Sequence, residues 1–291
     1  MNHRRGEIPC DRRFVMSYRI AVVLAILLSC CIPSTAYYYY WELVAPGIAH
    51  IHQMTAEPWD IHILIVDLSE PGVRLRSVVK NDTMLKDAGE VVSSMAIRHD
   101  ALAAVNTDFF YIGIGRHEPL GWTMTDGKLQ LVPYLSGPIV EDRPALVITK
   151  KNRARIGTYQ ATQSDWWNVA SGNLELIVNG VLVVPPSEVR HPRTAVGITP
   201  EADRLILITV DGRQACSIGM SSFEEAMLLW KLGAWNAMNF DGGGSTTMWI
   251  DGRVVNHPSD GRERRVAGAL VILAPARNFP QTTKSQASGK R

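Results

Sequence analysis

The chain has little cysteine, and most of it lies near the start. Only four of its 291 residues are cysteine, and Cys10, Cys30 and Cys31 all precede residue 37. Beyond that point only Cys216 remains, so neither an intrachain disulfide framework nor a cysteine-based metal site is available. We expect Cys216 to be a small, mostly buried side chain.

The chain also lacks an excess of charge of either sign. Five of its 30 basic residues and two of its 28 acidic residues precede residue 37, so the remainder is close to neutral. Binding nucleic acid through a broad surface requires clustered positive charge, which argues against a nucleic-acid partner. The roughly 250 remaining residues are enough for one core and need no second domain.

Long apolar runs are scarce as well. The run from Ile20 to Leu28 is shorter than the ~20 residues of a membrane span. It follows three arginines and precedes Ser34-Thr35-Ala36, which is the pattern of a signal peptide over residues 1–36. Two alternatives stay open: a lipoprotein signal that lipidates Cys30, and an uncleaved anchor with Tyr37 to Trp41 at the membrane interface. All three predict an exported bacterial protein that is periplasmic, membrane-anchored or extracellular.

The rest of the chain is patterned as a single α+β domain with mostly antiparallel strands, hairpins and a few packed helices. We expect a lead-in segment at 37–60, the domain itself at 61–274 and a polar, disordered tail at 275–291. Asp-Gly or Asn-Gly dipeptides between β-rich runs predict type I′ hairpins at 124–129, 177–182 and 249–254.

The clearest predicted helix runs from Ser222 to Leu232. Ser222 and Glu225 have the spacing of a capping box, and Gly233 is placed to end the helix. The helix leads into an apolar run, Trp235 to Phe240, which is typical of a buried strand.

An unusual stretch follows that strand directly: Asp241, then Gly242-Gly243-Gly244, then Ser245-Thr246-Thr247. A lone triple glycine is most often a tight turn. Here the adjacent carboxylate and hydroxyls favour a functional site, because successive N–H groups in such a turn can form an anion-binding nest. The spacing matches neither a P-loop nor a dinucleotide fingerprint nor a nucleophile elbow. We expect the glycines to leave room for a ligand.

Polar residues end three other predicted strands: Asn106-Thr107-Asp108, Arg193-Thr194 and Asp211. Side chains at strand ends are well placed to be held around one cleft. Each also has an interpretation without a functional site. Asp108 could be a buried acid bonded to backbone N–H groups, Arg193 could form a surface ion pair, and Asp211 could belong to a turn. His50, His52 and His62 do not by themselves indicate a metal site, so no cofactor is predicted and the question of a divalent cation stays open.

Four ordered segments together resemble the phosphodiester glycosidase family. They are Asn106-Thr107-Asp108-Phe109-Phe110, Arg193-Thr194-Ala195-Val196-Gly197, the stretch from Asn239 to Met248, and Arg264-Arg265-Val266-Ala267. Each is weak alone, but the ordered set spans most of the chain from 61 to 274. Thr107 stands where the family usually has glycine, and a β-branched residue there disfavours a positive φ angle and narrows the pocket.

The resemblance implies an enzyme that releases a sugar from a sugar-1-phosphodiester or a related glycosidic bond. Its substrate would be a carbohydrate or sugar phosphate, and bacterial relatives are associated with exopolysaccharides. Glycoside hydrolysis uses an acid together with a base or nucleophile, and Asp108 and Asp241 are the leading candidates for that pair. Asn106 would orient a sugar hydroxyl, while Arg193, Thr194 and the turn from Gly242 to Thr246 would bind the anionic group. The reserve candidates are Glu118, Asp211, His257, Glu263 and Arg265.

Two alternatives need no catalysis. An envelope glycan-binding module would keep the glycine-rich turn and use Trp122, Trp166 and Trp167 for sugar stacking. An accessory protein of polysaccharide export would be tethered through Cys30 or an uncleaved leader.

Overall fold

The computed structural model describes residues 36–83, 88–113, 116–130 and 143–274. The predicted signal peptide at 1–36, apart from its last residue, the lipidation of Cys30 and the polar tail at 275–291 lie outside the described residues. Within the described ranges, no helix is long and apolar enough to cross a membrane.

Strands are the main secondary structure of the described residues and take up a little under half of them. The two α-helices of the described ranges are α1 (Val92–Arg98) and α2 (Ser222–Lys231). Short 3-10 turns lie at Lys80–Asp82 and Gly243–Ser245. The strands are β1 (Ala36–Ala45), β2 (Ile48–Thr55), β3 (Asp60–Asp67), β4 (Arg74–Val79), β5 (Ala103–Asn106), β6 (Phe110–Gly113), β7 (Arg116–Pro119), β8 (Met124–Thr125), β9 (Lys128–Leu129), β10 (Pro144–Thr149), β11 (Ala154–Thr158), β12 (Trp166–Ser171), β13 (Leu174–Val178), β14 (Val181–Leu182), β15 (Arg193–Ile198), β16 (Arg204–Val210), β17 (Asn236–Asn239), β18 (Met248–Ile250), β19 (Arg253–Val254) and β20 (Gly268–Leu273).

Most strands belong to three antiparallel sheets that share one core, and β6 and β7 pair as a separate two-stranded sheet. The largest sheet has the order β1-β2-β3-β16-β15-β17-β13-β14, and two five-stranded sheets have the orders β11-β10-β12-β8-β9 and β19-β18-β5-β20-β4. Leu64, Val105, Leu146 and Val196, one or two from each sheet, belong to the same buried cluster. The predicted α+β class is therefore confirmed only in part, because the fold is more β-rich than that description suggests.

The segment at 37–60, which we predicted to lead into the domain, contributes strands to the main sheet. Strand β1 pairs with β2, with Trp41 opposite Ile51, and β2 pairs in turn with β3. Val44 and Ile48 are buried in the shared core, whereas Tyr38 and Trp41 are exposed. The tyrosine-rich sequence thus forms the edge strand of the main sheet. Its consecutive residues Tyr40 and Trp41 are both exposed, so solvent reaches both faces of the strand there.

All three predicted hairpins are confirmed. Val178 pairs with Val181, Thr125 with Lys128, and Ile250 with Arg253. Both central residues of each turn have a positive φ angle, as in Asn179 (50°) and Gly180 (80°). These angles are those of a type I′ turn, whose twist matches that of the paired strands.

The predicted capping box of α2 is wrong by one residue. Ser221, not Ser222, is the N-cap: its hydroxyl accepts from the Glu224 N–H at 3.3 Å, and its own N–H donates to Glu224 Oε2 at 2.8 Å. Two adjacent serines precede two adjacent glutamates, so the sequence fits either register. Gly233 follows the helix with a φ angle of 92° and ends it as predicted.

Cys216 also departs from expectation, because its side chain is exposed. It lies in the loop between β16 and α2, with Sγ 3.8 Å from the side-chain oxygen of Gln214. A single cysteine forms no periodic pattern, so its exposure could not be predicted from the sequence.

Ser221→Ala should lower the free energy of unfolding by about 1 kcal/mol, because it removes the N-cap acceptor. Ser222→Ala is the matched control and should change it by less than ~0.5 kcal/mol. Urea unfolding of both variants measures the difference. Equal losses, or a larger loss for Ser222→Ala, would contradict the assigned cap.

Candidate active site

The glycine-rich turn is attached to two other predicted motifs. The Phe240 N–H donates to the Thr194 carbonyl at 2.8 Å, and the Asp241 N–H donates to the Thr107 carbonyl at 2.9 Å. The turn therefore begins between the ends of β15 and β5. The sequence-predicted site residues Asn106, Thr194 and Asp241 are thereby brought together.

The side chain of Asn106 holds this junction together through three hydrogen bonds. Its Oδ1 accepts from the Thr194 hydroxyl at 2.8 Å and from the Thr247 N–H at 3.0 Å, and its Nδ2 donates to the Asp241 carbonyl at 2.6 Å. Asn106 is completely buried. Its amide is thus used to hold the two ends of the turn, which differs from the predicted contact with a sugar hydroxyl.

Asp108 is buried beneath the same junction. Its Oδ1 accepts from the Thr123 hydroxyl at 3.0 Å and the Ser171 N–H at 2.8 Å, and its Oδ2 accepts from the Thr107 hydroxyl at 2.7 Å. Burial raises the pKa of Asp108, although these hydrogen bonds oppose the rise. Thr107 thus gives this carboxyl a hydrogen bond that glycine would not supply.

Asp241 lies in a different environment, because it is partly exposed. Burial of most of its carboxyl raises the pKa to about 6, while the adjacent Ser245 hydroxyl and the charge of Arg264 oppose the rise. The nearby Asp108 adds to the increase. A carboxyl with this pKa exchanges its proton near neutral pH, which suits proton transfer or nucleophilic attack.

The sequence predicts room for a ligand at the three glycines, and in the structure protein atoms lie close to each of them. A Cβ on Gly242 would lie 2.6 Å from the Pro192 carbonyl oxygen, and one on Gly244 would overlap the side chains of Asp260 and Arg264. Gly243 has a φ angle of 61°. The turn is therefore packed tightly from two sides, with the Asp260–Arg264 ion pair, 2.7 Å apart, lying against it.

Two hydroxyls that follow the glycines have unused hydrogen-bonding capacity. The side-chain oxygens of Thr246 and Thr247 are buried and lack a hydrogen-bond partner among the described residues, as does Oδ1 of Asn239. Buried polar atoms without partners are costly. A bound polar ligand or water is the simplest way to satisfy them.

Arginines lie around the turn, but they are not all the predicted ones. Arg213 has its guanidinium against Gly243, and the charge of Arg264 acts on Asp241. Arg193 donates through Nε to the Met220 carbonyl at 2.8 Å. Arg265 is exposed and donates to the Gly89 carbonyl at 3.0 Å, away from the turn. Arg264 lies within the segment that resembles the family, and only the structure distinguishes it from its neighbour.

Asp211 and His257 are connected to the turn through Asn256. Asp211 is buried, and its oxygens accept from the Asn256 side chain at 2.9 Å and the His257 N–H at 2.7 Å. Burial raises the pKa of Asp211 to about 6. Asn256 also donates to the Thr246 carbonyl at 3.1 Å, so it connects Asp211 to the turn. The residues Asn256 and His257 help to line a cavity of about 500 Å³.

The two reserve glutamates, Glu118 and Glu263, make their contacts away from the glycine-rich turn. Glu263 accepts from the N–H and the hydroxyl of Ser93, at the start of α1, although it also lines the cavity. Glu118 is buried in β7, opposite Tyr111. The bonds of Glu263 are those of an acid at a helix N-terminus.

Glu225 is a buried acid that the sequence did not reveal as such, because the predicted capping box gave it another role. It is fully buried in α2, and neither carboxyl oxygen has a hydrogen-bond partner among the described residues. Burial raises its pKa to about 8, and the charge of Arg193 opposes the rise. Glu225 is therefore protonated at neutral pH.

Two of the three tryptophans suggested for sugar stacking are core residues. Trp122 and Trp166 are buried and contact each other edge to face. Trp167 is partly exposed, with the Lys150 amine 4.3 Å from the centre of its ring. The expectation of a stacking platform thus fails for Trp122 and Trp166.

The fold and the arrangement of these segments match a known class of protein. A model of the phosphodiester glycosidase family matches residues 99–273, which is more than half of the chain. The chain therefore belongs to the phosphodiester glycosidase family. The match includes every segment on which the resemblance was based.

The chain is also similar to parts of two longer proteins. A Bacillus subtilis (strain 168) protein named SPbeta prophage-derived uncharacterized protein YomE is 40% identical over 87 residues, 30% of this chain and 13% of that protein. The Bos taurus N-acetylglucosamine-1-phosphodiester alpha-N-acetylglucosaminidase is 32% identical over 139 residues, 39% of this chain and 26% of that enzyme. The matched regions thus cover about a quarter or less of these relatives.

The similarity to a solved structure concerns the fold alone. The catalytic domain of the zebrafish N-acetylglucosamine-1-phosphodiester alpha-N-acetylglucosaminidase, auto-inhibited by its pro-peptide, superimposes with a TM-score of 0.61 at 23% identity. The superposition covers 81% of each chain.

The buried acids make stability depend on pH in a defined direction. Glu225 has a folded-state pKa of about 8, above its ordinary 4.5, so the folded state binds more protons between these values and stability falls as pH rises through them. The loss should be on the order of 5 kcal/mol. Asp211 and Asp241 act in the same direction but titrate near pH 6.

Glu225→Gln should therefore remove most of the decrease in unfolding free energy above about pH 6.5. The matched control, Glu201→Gln, alters an exposed turn residue and should keep the decrease. Denaturant unfolding from pH 5 to 8 measures both. If the Glu225→Gln protein lost stability as steeply as the wild type, the buried acid would not be its source.

Proposed function

We propose that this protein is an exported glycosidase that hydrolyses a sugar-1-phosphodiester, or a related glycosidic bond, in an envelope or extracellular glycan. The family assignment supports the chemistry, since its characterised members are glycosidases. The observation that carries the proposal is the position of Asp241. It is a partly exposed carboxyl beside a tight turn, with its pKa raised to about 6 and two arginines against the turn.

The leaving group determines what the site must supply. Departure of a phosphomonoester requires little acid catalysis, because its second pKa is itself about 6. The greater need is a base or nucleophile at the sugar carbon and positive charge at the phosphate. In this proposal ionised Asp241 meets the first need. The guanidinium groups of Arg213 and Arg264 meet the second, since their planar forks match phosphate oxygens.

The other sequence-predicted residues support this arrangement. Asp108 is a positioning residue in this scheme, because its hydrogen bonds hold Thr107, Thr123 and Ser171 beneath the turn. Asn106 and Thr194 fix the ends of the turn. The unpartnered hydroxyls of the two threonines after Ser245 are available to bind sugar or phosphate oxygens. The substrate itself is a carbohydrate or sugar phosphate.

Asp241→Asn should lower turnover of an activated sugar phosphodiester, such as a nitrophenyl sugar phosphodiester, by about 10²–10⁴-fold. Asp251→Asn is the control, because a type I′ turn accepts Asn as well as Asp and Asp251 lies in a hairpin turn. Release of free sugar measures activity. Near-normal turnover by the Asp241→Asn protein would contradict the assignment, and binding without sugar release by the wild type would favour the glycan-binding module.

The proposed role of Asp241 also predicts how the activity changes with pH. If Asp241 acts in its ionised form, kcat/KM should rise as pH increases through about 6, where its proton is lost, and then level off. Initial rates from pH 4 to 8 with the same substrate test this. A rate that fell through the same interval would instead make Asp241 the proton donor.

A further inference from the structure

Three histidines and an aspartate cluster on neighbouring strands of the main sheet. His52 on β2 is paired directly with His62 on β3, and their rings stack with centroids 4.1 Å apart. His50 stacks on His62 as well, with centroids 5.2 Å apart. Oδ1 of Asp60 lies 2.6 Å from His52 Nε2 and 3.8 Å from His62 Nε2. Several potential metal ligands thus lie close to one another.

A chain of hydrogen bonds determines which nitrogen of His62 carries the proton. His50 Nδ1 lies 3.2 Å from Glu42 Oε1, and His50 Nε2 lies 3.0 Å from His62 Nδ1. Because a carboxylate only accepts, neutral His50 donates through Nδ1 and accepts through Nε2. His62 then donates through Nδ1, so neutral His62 presents an unprotonated lone pair at Nε2.

That lone pair is buried and faces a negative charge. His62 is only 2% exposed, and its Nε2 has no hydrogen-bond partner among the described residues. The His62 Nε2 lone pair and Asp60 Oδ1 are 3.8 Å apart in the interior. A metal cation bound between them would satisfy both groups.

We propose that His52, Asp60 and His62 form a binding site for a divalent transition-metal cation, for which Zn²⁺ is the best match. Their ligand atoms all lie within 4.8 Å of one another. Two imidazoles and one carboxylate are a ligand set that Zn²⁺ accepts, with a fourth position left for water or another ligand. Glu42 and His50 would orient His62 as outer partners, which is the usual arrangement around a metal-bound histidine.

The proposed metal site does not depend on the proposed glycosidase activity. Its three ligands precede residue 99, where the match to the family begins. Asp60 also reaches the loop behind the glycine-rich turn. Its Oδ2 lies 4.0 Å from His257 Nδ1, and its carbonyl accepts from the Asp211 N–H at 2.9 Å. A cation held by Asp60 would therefore secure the outer strands against that loop.

The test uses the full chain, stripped of metal with a chelator and titrated with ZnCl₂ by calorimetry. We expect one equivalent to bind and the Tm to rise, because binding to the folded state alone stabilises it. His52→Asn and His62→Asn should each lower the affinity by at least about tenfold. His99→Asn, which changes a histidine paired with Asp82 outside the cluster, should not. CoCl₂ should give visible absorption bands in the wild type that both cluster variants lose.

His52 is the more exposed of the two histidine ligands, so His52→Asn keeps the test valid if His62→Asn fails to fold. Circular dichroism checks the fold of each variant. The proposal is overturned if the wild type binds Zn²⁺ no more tightly than a folded His52→Asn protein. It is equally overturned if His99→Asn lowers the affinity as much as the cluster variants do.

Discussion

The candidate site depends on the hydrogen bonds of one buried amide, that of Asn106. It joins the end of β5 to the Thr194 hydroxyl on β15, and it holds the glycine-rich turn at both the Asp241 carbonyl and the Thr247 N–H. Three segments distant in sequence are thereby fixed relative to one another. Removing one partner would leave the others buried and unsatisfied, at about 1–3 kcal/mol for each group. That cost explains why Asn106 serves the architecture of the site in preference to contacting a ligand.

Burial then gives the acids of this region different environments. Asp108 uses both oxygens in internal hydrogen bonds, while Asp241 remains partly exposed with a pKa near 6. Glu225 is fully enclosed and stays protonated. Similar side chains therefore ionise differently, because their solvent access and nearby charges differ.

Local patterns predicted much of the fold, because hairpins and strands depend on neighbouring residues. Asn179-Gly180 specifies its turn by φ angle alone, and the run of aliphatic and β-branched residues from Leu205 predicts a strand. The site was predicted less completely. Whether Asp260 and Arg264 fill the space above Gly244 depends on tertiary packing. The pairing of histidines on β2 and β3 likewise requires the sheet register, which no local pattern supplies.

In the proposed enzyme, Asp241 and the turn after it contact the reacting sugar. A crystal structure of the Asp241→Asn protein with an uncleaved sugar-1-phosphodiester tests this arrangement. We expect the anomeric carbon to lie beside residue 241, with the phosphate bound by Arg213 and Arg264. A sugar bound instead beside Trp167, with the turn empty, would contradict it.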